Sequence, residues 1–228
     1  MRLRFRLLAL ILGSALILNP ATAQETIKIK VVERYILAAE QIYHRSPARD
    51  NATHQLTLTL VYFTGSDWPR DAMVGAARHV AEILEPCGLL LRQVELVRVD
   101  APQRYHYLNT PVSRELARTL QLARPTVYFV ADTRHQPAFD AEAIGRGNSQ
   151  TRPELADSVW VTRATRDVGM ALTHELVHVL TDSGEHVEQP GNLMQAETAP
   201  ENTRLTGAQC ALMRDVGTNN GLLSIVTK

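Results

Sequence analysis

Between Asp167 and Leu180 the chain reads as a helix with almost no polar face, because Val168, Met170, Leu172, Leu176, Val177 and Leu180 fall on nearly every side of it. A helix that apolar has to be buried, so the rest of the fold must be built around it. Two histidines and a glutamate nonetheless stand in its middle, in the run His174-Glu175-Leu176-Val177-His178. Histidines at i and i+4 leave a helix on one face, about one turn apart. That spacing lets both imidazoles reach one ion at about 2.0–2.1 Å. Glu175 is rotated by about 100° from its neighbour, which suits a general base acting on water better than a second ligand. Two surface histidines with a chance glutamate are the alternative. It fits poorly with such apolar surroundings, where an imidazole needs a partner.

The beginning of the chain is of another kind. Arg2, Arg4 and Arg6 precede an almost wholly apolar run from Leu7 to Leu18, and Ala21-Thr22-Ala23 supplies small residues where a signal peptidase cuts. A run of about twelve residues is short of the roughly 20 that span a bilayer. The expectation is therefore a cleaved leader over 1–23, an exported (secreted or periplasmic) product and no stable membrane anchor. Taking three arginines from 24 basic residues leaves 21 against 24 acidic ones, a net charge of −3. A mildly acidic chain argues against nucleic acid as a partner. Cys87 and Cys210 are the only cysteines, and an oxidising compartment favours their pairing in a disulfide.

The remainder fits one domain over 54–228, with 24–53 as an N-terminal extension that reads as a strand over 26–32 and a helix over 33–44. Further strands are expected at Leu56 to Phe63, Leu89 to Val99, Pro125 to Ala131 and Ser158 to Thr162, with a short one within Ala141 to Gly147. Helices are expected from Pro69 to Leu84, capped by Ser66 or Asp67, then from Pro111 to Leu122, and from Thr206 to Val216. Strands and helices interleave, so the fold class is α/β (α+β): a mixed, twisted sheet with two helices, the central buried helix and a C-terminal helix.

A catalytic zinc site takes three protein ligands and keeps one position open. Asp182 lies on the same helix face as His174 but about 12 Å further along a regular helix, too far to share an ion. His186, Glu188 and Glu197 remain. Gly184 can end the helix in the left-handed conformation and turn His186 back toward the other two histidines. Glu197 stands nineteen residues after His178, the separation at which a gluzincin-type site is completed, but it lies between Pro190-Gly191 and Pro200, where a helix forms poorly.

The stretch HELVHVLTDSGEHVEQPGNLM, from His174 to Met194, resembles the metzincin zinc peptidases, and Gly191-Asn192-Leu193-Met194 is similar to the matrixin form of their Met-turn. The resemblance implies zinc on His174, His178 and His186, Glu175 as general base, and Met194 in a tight turn under the site. It also implies that an extended substrate pairs with an edge strand, for which Ala143, Ile144 and Gly145 are the candidates. The chain departs from the family in one respect. Thr181 and Gly184 occupy the offsets at which the family carries glycine and histidine, so the active-site helix is expected to run almost one turn longer.

The implied activity is hydrolysis of peptide bonds, with peptides or proteins as substrates and zinc lowering the pKa of water toward about 7. The alternatives are a gluzincin-type peptidase using Glu197, and a zinc-containing binding module without turnover. Glu175 speaks against the module, since a purely structural site has no need of it. The sequence leaves the natural substrate and the oligomeric state open.

Overall fold

The computed structural model describes residues 28–43, 51–133, 143–146 and 153–227. The leader read at 1–23 lies outside them. In chain order the elements are β1 (Lys30–Ala38), α1 (Ala39–Ile42), β2 (His54–Phe63), α2 (Arg70–Leu84), β3 (Leu89–Asp100), β4 (Tyr107–Leu108), α3 (Thr110–Leu120), β5 (Thr126–Phe129), β6 (Asp132–Thr133), β7 (Ala143–Arg146), β8 (Ser158–Val161), α4 (Val168–Thr181), α5 (Gly207–Asn219) and β9 (Leu223–Ile225).

Seven of the strands form one mixed sheet in the order β1-β3-β2-β5-β8-β7, with β9 joined to β2. The four central strands are parallel, while β1 and β7 run antiparallel at the two edges. β9 pairs antiparallel with His54–Leu56 and β5 pairs parallel with Thr59–Val61, so the two share one side of β2. The expected α/β class with a mixed sheet is the observed one.

Parallel strands are covered on both faces, and here alternate residues of one strand supply two separate cores. Leu56, Leu58 and Leu60 of β2 pack with α2, α4 and α5. Val61 and Phe63 face the other way, with Leu116 of α3, Tyr105 and the stacked pair Tyr128–Trp160 at 4.1 Å. The largest core thus lies on the α4 side, which explains why α4 is buried almost all round.

The helix α4 begins where the sequence places it, with the Asp167 carboxylate accepting the Met170 N–H at 2.9 Å. Gly169 lets α2 approach: a Cβ there would stand 2.7 Å from the Cβ of His79. Cys87, in the turn after α2, is bonded to Cys210 in the first turn of α5, the pairing expected of the two cysteines. Among the described residues no helix is long and apolar enough to cross a membrane.

Three local expectations give way. The N-terminal strand runs over Lys30–Ala38 and the following helix is only four residues long. A register shift between Val31 and Glu33 breaks the alternation on which the earlier boundary rests. This strand lies along β3 in the main sheet, and Leu37 and Ile42 are core residues. Neither Ser66 nor Asp67 caps α2: Pro69 takes the N-cap position, and Asp67 reaches Arg163 at 3.1 Å. Finally, α4 is not lengthened toward Gly184. It ends at Thr181, and Asp182, with φ of 48°, takes the left-handed position assigned to Gly184. Aspartate tolerates that conformation better than most residues with a Cβ, which is why the glycine is a misleading signal here.

Candidate metal centre

α4 carries His174 one turn before His178, and the loop that follows Asp182 returns the chain so that His186 meets both. The three Nε2 atoms lie 3.1 Å (His174–His178), 3.2 Å (His174–His186) and 3.2 Å (His178–His186) apart. His174 is buried, His178 half-buried and His186 exposed, so the cluster opens to solvent on the His186 side.

The ring tautomers are set by the backbone. His174 donates from Nδ1 to the Leu193 carbonyl at 2.8 Å, and His178 donates from Nδ1 to the Ser183 carbonyl at 2.6 Å. A carbonyl oxygen only accepts, so each Nδ1 carries the hydrogen and each Nε2 presents a lone pair. Two lone pairs 3.1 Å apart repel unless something positive stands between them. Protonation is disfavoured: burial pushes the His174 imidazole down to about 4, against the opposing pull of the Leu193 carbonyl, and burial also lowers His178. A metal cation satisfies the cluster without a proton. Imidazoles bound at 2.0–2.1 Å around a tetrahedral ion have their nitrogens about 3.3 Å apart, close to the separations found. The donor set therefore fits a metal ion.

Behind the histidines the chain makes a tight turn over residues 192–195, with the Gln195 N–H on the Asn192 carbonyl at 3.2 Å. Leu193 and Met194 occupy its middle and both are buried. Gly191 enters it with φ of +74°, and a Cβ there would lie 2.5 Å from Nη2 of Arg204. The Leu193 carbonyl bonds His174, while the Met194 carbonyl accepts the N–H of Val187 at 2.8 Å, the residue after His186. The turn read from Gly191-Asn192-Leu193-Met194 thus touches the site at two points.

Glu175 is half-buried on α4, beside His174. Asp182, Glu188 and Glu197 are exposed and none belongs to the histidine group. Among the described residues the group that could hold an ion is completed by His186 and does not include Glu197, which lies in an irregular segment with its main-chain carbonyl accepting from the Asn202 amide. β7, which contains Ala143, Ile144 and Gly145, is the outermost strand beside β8, with Ile144 opposite Trp160. A cavity of about 330 Å³ lined by Arg118, Arg124 and Tyr128 includes none of the histidines.

Sequence reasoning missed the carbonyls of Ser183 and Leu193 and the side chains of Asn192 and Gln209. Backbone acceptors leave no mark in a sequence. Gln209 does leave one, since Thr206 and Gln209 stand at capping-box spacing before an amphipathic run.

No family model and no curated protein matches this sequence. Among solved structures the chain is similar to metalloproteinase-II from Bacteroides fragilis, with 17% identity and a TM-score of 0.45 over 72% of this chain and 54% of that one. The chain thus spans about half the length of that structure.

Proposed function

We propose that this protein is an exported, zinc-dependent peptidase of the metzincin type, with His174, His178 and His186 as ligands and Glu175 as general base. The observation that carries the reading is the convergence of three Nε2 atoms, two of them left without a hydrogen because backbone carbonyls hold the Nδ1–H of His174 and His178. Three imidazoles suit zinc by donor type and leave one of four positions open for chemistry. Zinc, when bound, supplies Lewis acidity that polarises a carbonyl and makes water a competent nucleophile near neutral pH.

The remaining work falls to the chain. Glu175 accepts a proton as water adds to the peptide carbonyl carbon, then delivers it to the leaving nitrogen as the C–N bond breaks. Its place directly after His174 keeps the carboxylate beside the site and out of the ligand set. The Leu193 and Ser183 carbonyls hold two imidazoles in orientation and raise their basicity as donors. Met194 supports the site as its Met-turn residue. β7, at the sheet edge, offers main-chain groups to an extended substrate by strand addition. Export is supported by the apolar leader in the sequence and by the Cys87–Cys210 disulfide.

The test is digestion of an unbiased peptide mixture by the purified, zinc-loaded protein, beside Glu175→Ala and a chelated sample. Cleavage by the wild type alone is expected. A zinc-loaded wild type that cleaves nothing in the mixture would sink the peptidase reading in favour of a binding module.

A further inference from the structure

We propose that Gln209, on the C-terminal helix, is a positioning residue for the three-histidine site, acting through its side-chain pair with Asn192. This rests on the metal reading above. Asn192 is buried, and its Oδ1 accepts the Met194 N–H at 2.8 Å and Nε2 of Gln209 at 3.2 Å. In return Asn192 donates from Nδ2 to Oε1 of Gln209 at 3.0 Å, and the same oxygen accepts the Thr206 N–H at 2.8 Å. Each amide thus meets one backbone N–H, which must face an oxygen. Those two donors fix which end of each amide is which, and the reciprocal pair follows.

The pair joins a rigid element to a turn whose Leu193 and Met194 side chains are buried in the main core. α5 is anchored by the Cys210 disulfide next to Gln209 and by the buried Met213. On the other side, backbone bonds between Leu193 and Arg204 (2.8 Å) and between Arg204 and Gly191 (3.1 Å) hold the turn along one edge. The Asn192 N–H bonds the Gln189 carbonyl at 3.0 Å, and the Asn192 side chain takes the Met194 N–H. The two carbonyls so placed are those of Leu193, which sets the His174 tautomer, and Met194, which ties down Val187 beside His186. Two of the three histidines are therefore tied to a turn that the Asn192–Gln209 pair braces from α5.

A capping role alone explains only half of the Gln209 amide. Its Oε1 closes the capping box with Thr206, and glutamate does that equally well. Its Nε2 has no part in the cap and is directed to Asn192. Gln209→Glu separates the two roles: the capping oxygen stays, while a carboxylate oxygen replaces the donor and faces Oδ1 of Asn192.

The experiment uses the full chain with its disulfide intact. Zn²⁺ affinity is measured by competition with a chromophoric chelator, the Co²⁺ d–d spectrum is recorded, and amide exchange at Met194 and Val187 is followed in the metal-free protein. For Gln209→Glu the expected result is Zn²⁺ binding weaker by about tenfold or more, a shifted Co²⁺ spectrum and faster exchange at both amides, with the metal-free Tm little changed. Leu116→Ala, in the separate core on the other face of the sheet, is expected to lower Tm and leave Zn²⁺ affinity unchanged. Native affinity and spectrum in Gln209→Glu would overturn the proposal. If that variant does not fold, Gln209→Met, which removes the amide without adding charge, is read against the same two outcomes. A wild-type protein that takes up no Zn²⁺ would overturn the metal reading itself, a result distinct from a wild type and Gln209→Glu that bind alike.

Discussion

The N–H of Val187 donates to the carbonyl of Met194 at 2.8 Å, so the residue after the third histidine is pinned to the turn that also orients the first. His186 is exposed, yet the backbone that presents it is fixed from behind. Replacing its ring should therefore remove a ligand without disturbing the fold. His186→Ala is expected to lie within about 0.5 kcal/mol of the wild type when metal-free, and to lose most of the stabilisation that excess Zn²⁺ gives the wild type. Thermal unfolding with and without Zn²⁺ checks both. Glu188→Ala and Glu197→Ala should keep the full metal-dependent gain, and a loss confined to Glu197→Ala would restore the rival ligand set.

Acid should weaken the metal-free protein through His174. Its folded pKa is pushed down to about 4 by burial, below the ordinary 6.5 of an exposed imidazole. The unfolded chain therefore binds more protons between these values. The stability linked to His174 is present in full above pH 6.5 and is lost as pH falls through about 4. The shift corresponds to roughly 3 kcal/mol at most, and His178, lowered by the same cause, adds in the same direction. Urea unfolding of the chelated protein at a series of pH values should show this slope, and His174→Gln should flatten it.

Two glycines should respond oppositely to a methyl group. At Gly169 the new Cβ would meet Cβ and Cγ of His79 at 2.7 and 2.8 Å, close to the α2 backbone, where no rotamer change relieves the contact. Gly169→Ala is expected to destabilise by about 1–3 kcal/mol. Gly184 has open space and no left-handed φ. Gly184→Ala should be neutral or stabilising by up to about 1 kcal/mol. Denaturant midpoints with unchanged m-values would report both. A large loss at Gly184 would mean that the loop to His186 depends on a conformation other than the one described.

Removing the disulfide by Cys87→Ala with Cys210→Ala opens a loop of sequence separation 123. The chain-entropy relation for a loop of that length gives a loss of about 5 kcal/mol as an upper figure. Equilibrium unfolding of the oxidised wild type and the double variant measures it directly.

Much of this architecture could be read from the chain because it follows from periodicity. The run Leu56 to Phe63 alternates, and the strand that forms spans His54–Phe63 with its odd and even residues in different cores. Asp167 announces the start of α4 and caps it. Two of the site histidines were fixed by helical spacing alone. The third was harder, because His186 is brought in by a loop whose reversal is made by Asp182, a residue with no strong claim to φ > 0. The strand β1 was misplaced because a bulge shifts its phase. What lies around the ligands was scarcely legible. The Ser183 and Leu193 carbonyls belong to residues whose side chains give no hint of the role, and Asn192 and Gln209 meet only because α5 packs back across the turn.

That last packing sets an order on assembly. The three histidines are all made by residue 186, and the turn behind them by residue 195. The side chain that faces Asn192 sits at 209, in a helix followed by a strand, β9, whose place is beside the first residues of β2. A growing chain therefore carries all three histidines before the residue proposed to brace the turn behind them. The brace is complete once residues 207–225 have emerged and β9 has paired with β2. The histidine cluster is thus braced by a segment made after the cluster itself.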